Sequence, residues 1–270
     1  MRAPEPMRGS LMRASDRALQ PLGGDPAATP RGLPDLAPFL PALSELDGTT
    51  RCTLLAAGRE VLECRRVLKK GGLNIVGEVL RGQGEFVEME HYPHDDVFDS
   101  DSASQYYYHA HRGAPEHGHF HTFVRAGAIP ADVHPLAWPL ATEPWPQGDA
   151  AISHLIAISM DAWGEPIGLF ATNRWVTAET WYCADDVIGL LDRFAIDHAW
   201  PSWPTNRWLG AMLRLYRPWI EALIRHRDAV MLEWMRVHPG ADVFEDRSLE
   251  ITGHLPIDVG QMIGALEQSL

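Results

Sequence analysis

Five of the chain's thirteen histidines fall in the segment HAHRGAPEHGHFH, from His109 to His121, alternating with other residues on both sides of a turn containing Gly and Pro. Alternation of this kind belongs to β-strands, whose successive side chains point to opposite faces. A strand over 105–112 puts Gln105, Tyr107, His109 and His111 on one face and Tyr106, Tyr108 and Ala110 on the other. A second strand over 117–125 gathers His117, His119, His121 and Arg125, opposite Gly118, Phe120, Thr122 and Val124. The five residues from Arg112 to Glu116 are short enough for a hairpin that lays the two histidine faces side by side. Cross-strand neighbours lie about 5 Å apart and diagonal or i, i+2 neighbours about 7 Å, so imidazoles from both strands can converge on one ion.

Neutral imidazole is the common nitrogen ligand of transition metals, and crowding several imidazoles without an ion depresses their basicity to no purpose. The expected ligands are therefore His109, His111, His119 and His121, holding one transition metal ion: Fe, Zn, Cu or Mn. No thiolate is nearby to narrow the choice. Glu116 and His117 are the candidate proton-handling groups, and Tyr107 faces the same site. His91 and His94 could supply a further ligand or support one. His154, in the apolar run ISHLIAIS, could close the site if its strand neighbours the hairpin. In Asn173-Arg174-Trp175, Arg174 is the candidate for binding a cofactor or substrate carboxylate, with a salt bridge at the sheet rim as the alternative. Asp96, Asp99 and Asp101 lack the glycine and closing glutamate of a calcium loop and read as a turn.

The rest of the chain frames the hairpin. TTRCTLLAAGREVLECRRVLKK, Thr49 to Lys70, has a helical apolar period, with Gly71 placed as a C-cap. The spacing of NIVGEVLRGQGEFVEMEHY predicts a hairpin about Gly82-Gln83-Gly84, and PHDDVFDSDSAS reads as a loop. HLIAISMD and EPIGLFATNRWV read as two strands about Ala162-Trp163-Gly164, so that the sheet spans about 74–176. ADDVIGLLDRFAI is helical, 205–237 reads as two helices or one kinked at Pro218, and LEITGHL and a helix after Pro256 close the chain. The strand links are too short for crossover helices. The fold class expected is α+β, with a mainly antiparallel sheet that could curl into a barrel between N-terminal and C-terminal helices. Residues 1–40, rich in Pro, Arg, Gly and Ala, are expected to form a flexible arm, and 41–270 a single domain.

A net charge of −13 argues against nucleic-acid and anionic-membrane partners. Three scattered cysteines and the lack of a long apolar run or secretory signal suit a cytoplasmic protein with a small-molecule substrate.

His109, His111 and Glu116 have the HxHxxxxE spacing of the first cupin motif, and HFH is similar to the zinc-binding strand of α-carbonic anhydrases, but the companion motifs of both families are absent. The wider run HYPHDDVFD…QYYYHAHR…EHGHFHTF, followed by HLIAISMDAWGEPIGLFATNRWVTAETWY, resembles an uncharacterised bacterial domain family over about Thr49 to Leu223. That resemblance implies no activity, cofactor or catalytic residue. The residues themselves leave two classes open: a metal-dependent enzyme, with redox chemistry favoured over hydrolysis by the adjoining tyrosines, and a non-catalytic metal or haem binder, sensor or structural metal site.

Overall fold

A computed structural model describes residues 32–270. The first helix, α1 (Gly48–Lys70), starts where the Asp47 carboxylate accepts from the Thr50 N–H at 2.7 Å and ends at Gly71. Then come α2 (Ile75–Leu80), β1 (Tyr92–Asp99), β2 (Ser104–His109), β3 (Gly118–Arg125), β4 (Ile152–Met160) and β5 (Pro166–Thr172). Four helices follow: α3 (Arg174–Thr177), α4 (Ala184–Leu190), α5 (Trp203–Leu215) and α6 (Arg217–Val237). The chain closes with β6 (Ile251–Pro256) and α7 (Val259–Gln268).

The six strands form one sheet in chain order, every neighbouring pair antiparallel. The fold is α+β as the pattern predicts, but the sheet is open and does not curl into a barrel. Tyr106 and Tyr108 of β2 and Phe120 of β3 turn to one face and join a core with Trp208, Leu209 and Met212 of α5 and Leu223 of α6. Burying each large apolar side chain contributes about 1.5–3 kcal/mol, so this face supplies most of the sheet's anchorage. Within it the Tyr106 hydroxyl donates to Asn206 Oδ1 at 2.7 Å, and the Asn206 amide in turn donates to the carbonyls of His198 and Trp200.

Three expectations are corrected. The segment after Asn74 begins as a helix, because the Asn74 side chain accepts from the Gly77 N–H at 2.7 Å and caps it. Gly82 and Gly84 then take positive φ in a connection without strands. The stretch PHDDVFD, read as a loop, is edge strand β1, where Pro93 falls in the irregular stretch between Tyr92 and Val97 at which the ladder register shifts. The sheet therefore begins at Tyr92 and is completed by β6 from the far end of the chain. Of the expected arm, residues 1–31 lie outside the described residues, while Leu36 and Leu40 pack on the core.

The segment after β1 is a turn, as expected. Asp99 accepts backbone N–H bonds from Asp101, Ser102 and Asp197. Pro218 lies in the first turn of α6, which separates α5 from α6 as two helices. Among the described residues no helix is long and apolar enough to cross a membrane.

Candidate metal centre

The hairpin register places Tyr107 opposite His121 and His109 opposite His119 on the sheet face turned away from the tyrosine core. β4 continues the row, pairing His121 with Ala157 and His119 with Ser159, and β5 adds Phe170. The face is closed to water at its centre, where His119 and His121 are 0% exposed and His109 is 6% exposed, and opens at His111, which is half-buried. Arg112 lies over it, with its guanidinium carbon 3.9 Å from the Phe170 ring centre and a bond to Glu250 at 3.1 Å.

His109, His111 and His119 each bring one ring nitrogen to within 4.8 Å of the other two, so these three could hold a metal ion. His109 and His119 face each other through Nε2 atoms 2.7 Å apart. Two nitrogens bound to one tetrahedral ion at about 2.1 Å stand roughly 3.4 Å apart, so this pair need part by less than about 1 Å to share one. Glu116 accepts from Nδ1 of His119 at 2.7 Å. That bond fixes the proton on Nδ1 and leaves Nε2 as a lone pair directed at His109, as carboxylates do behind metal-bound histidines. Glu116 thus acts on a ligand from behind.

Burial drives the basicity of His109 and His119 far down, assisted by neighbouring imidazoles and by Arg112, and burial also lowers His111. All three are held in the neutral form that metals require.

The other expected site residues scatter around this triad. His121 lies beside it, with ring centres 4.9 Å from His119 and 5.2 Å from His109, but its Nδ1 is 2.9 Å from His154 Nε2. His154 therefore does join the site, through His121, and burial pushes its pKa down to about 3. His121 Nε2 is buried with no partner among the described residues. A buried polar atom left unpaired costs about 1–3 kcal/mol.

Tyr107 stacks on His91 with ring centres 3.6 Å apart and meets His109 edge-on at 5.2 Å. His91 in turn is held at Nδ1 by Asp96 at 3.0 Å, and Gln105 donates to the same carboxylate. His94 bonds to Gln83 at the surface.

His117 departs from the expected face. Its Nδ1 meets the Tyr108 hydroxyl at 2.7 Å and its ring stacks on Phe86, because β3 begins only at Gly118. Arg174 is engaged elsewhere: it pairs with Glu245 and lies over Trp145 at the end of β5, which matches the rim salt bridge and leaves its guanidinium outside the histidine cluster.

One group escaped the sequence reading. Glu179 is 1% exposed, accepts from the His154 backbone N–H at 2.7 Å, and is pushed up to about 7 by burial. Nothing in AETWY marks it, since its place against β4, 25 residues earlier in the chain, is a matter of tertiary packing.

An open antiparallel sheet with an imidazole triad, two of its rings buried and the third half-buried, backed by a carboxylate, defines a candidate histidine-ligated metal centre. The chain belongs to the family described as a domain of unknown function (DUF6969), which it matches over residues 55–257. No curated protein and no solved structure matches the chain.

Proposed function

We propose that this protein is a transition-metal protein whose ion is held by His109, His111 and His119, and that it is an enzyme acting on a small molecule at the ion's remaining positions. The observation that carries this reading is the convergence of three largely neutral imidazoles, one of them locked in its ligating tautomer by Glu116. A site with three protein nitrogens keeps a coordination position for water or substrate, the usual arrangement of catalytic rather than structural sites.

The donor set is nitrogen only, which suits Fe, Cu, Mn or Zn and disfavours the soft-metal clusters that thiolates hold. Tyr107, in ring contact with His109 and stacked on His91, favours redox chemistry over hydrolysis, because a phenol beside a redox ion can share its electron and proton traffic. The proton-handling role goes to His91, backed by Asp96, in preference to His117, whose ring serves Tyr108. A cytoplasmic setting accords with the three free cysteines.

X-ray absorption at the edge of the native metal tests the reading. Three imidazole scatterers at about 2.0–2.1 Å support it, and a shell dominated by sulfur or by water alone refutes it.

A further inference from the structure

We infer that His121 is not a ligand of the ion but the hydrogen-bonding partner of a small exogenous ligand bound to it, of the size of azide or hydroxide. The inference rests on the metal centre proposed above and adds the kind of molecule that centre takes. The two nitrogens of an imidazole point to opposite sides of the ring. His121 Nδ1 is turned to His154 on β4, 2.9 Å away, so Nε2, on the other side of the ring, faces away from His154, and the rings of His109 and His119 are its neighbours at 5.2 and 4.9 Å. That nitrogen is buried and has no partner among the described residues, and it stands outside the triad whose nitrogens converge.

With both rings neutral, a single proton lies between His121 and His154. When His154 donates it, His121 carries its own proton on Nε2 and presents a donor beside the ion. Arg112, shared between Glu250 and Glu116, covers the same face. Size follows from the packing: Phe170 is in ring contact with His119 at 5.1 Å and with His121 at 5.9 Å, Tyr107 touches His121 at 5.2 Å, and His119 and His121 are fully buried, so little room is left beside His121 Nε2. Only a ligand of two or three atoms can be admitted there by small shifts of these rings, which excludes a sugar or a nucleotide.

The test uses full-length protein loaded with Co(II), whose visible spectrum reports azide binding, in the wild type and in His121→Phe, with metal content measured in each. The expected result is an unchanged cobalt content with an azide dissociation constant raised about tenfold or more. His121→Met, of similar volume and also without a donor, carries the same expectation and serves if the phenylalanine variant fails to fold. Cobalt lost from a folded variant makes His121 a ligand and overturns the inference, and so does unchanged azide affinity. Wild-type protein that takes up no cobalt contradicts the metal centre itself, and the inference falls with it.

Discussion

The carboxylate of Glu116 accepts from Nδ1 of His119 at 2.7 Å, across the turn that joins the two histidine strands. The turn thus does more than reverse the chain: its last acidic residue determines which nitrogen of the next strand is free to ligate. Removing such a partner typically costs about 10–100-fold in metal affinity. Glu116→Gln is expected to weaken binding by that factor without unfolding the protein, as measured by competition with a chromophoric chelator. An unchanged affinity would show that the His119 orientation does not depend on the carboxylate.

The pH dependence of the metal-free protein has a definite sign. His109, His119, His121 and His154 are all depressed in the fold by burial, His154 to about 3 from an unperturbed 6.5. A depressed folded-state pKa means that the unfolded chain binds protons first, so this contribution to stability is present above about pH 6.5 and is lost as pH falls towards 3. Denaturant melts of chelator-treated protein should show stability declining steadily through that window. A flat profile between pH 6.5 and 4 would contradict the neutral buried cluster.

Glu179 has the opposite sign. Its carboxyl is raised to about 7 from 4.5, so stability is lost as pH rises through that range, and at about 1.4 kcal/mol per unit the penalty is on the order of 3 kcal/mol when the group ionises. Glu179→Gln keeps an acceptor for the His154 N–H and removes the charge. The variant should gain stability relative to wild type as pH rises from about 4.5 to 8, and a difference independent of pH would exclude a buried ionisable carboxyl.

The two faces of β2 are separable by mutation. Tyr106→Phe leaves Asn206 Oδ1 without its donor in the core and should cost about 1–2 kcal/mol in chemical unfolding while metal content stays the same. Loss of metal from this variant would mean that the core and the histidine face are not independent.

Much of this was legible in the sequence because it rests on local period. The alternation of histidine and aromatic residues placed β2 and β3, and the helical spacing with a following glycine placed α1. The errors arose where distant chemistry decides. Asn74 capping turned a hairpin composition into α2, and β1 was hidden by its proline and aspartates, which an edge strand tolerates. His117 was assigned to the histidine face on alternation alone. The ladder starts one residue later, at Gly118, where an added Cβ would lie 2.6 Å from the Tyr108 ring and the His109 carbonyl. The His121 to His154 contact depends on the β3–β4 register, which shifts between Thr122 and Phe123, and no single-strand pattern encodes that.

Metal analysis of untagged protein, purified without added metal or nickel resin, bears most directly on the central claim. Wild type should carry about one equivalent of a single transition metal, and the His109→Ala, His119→Ala double variant, folded by circular dichroism, should carry less than about 0.1 equivalents. Wild-type protein with less than about 0.1 equivalents of every transition metal, or a double variant that retains as much as wild type, would contradict a metal centre at these histidines.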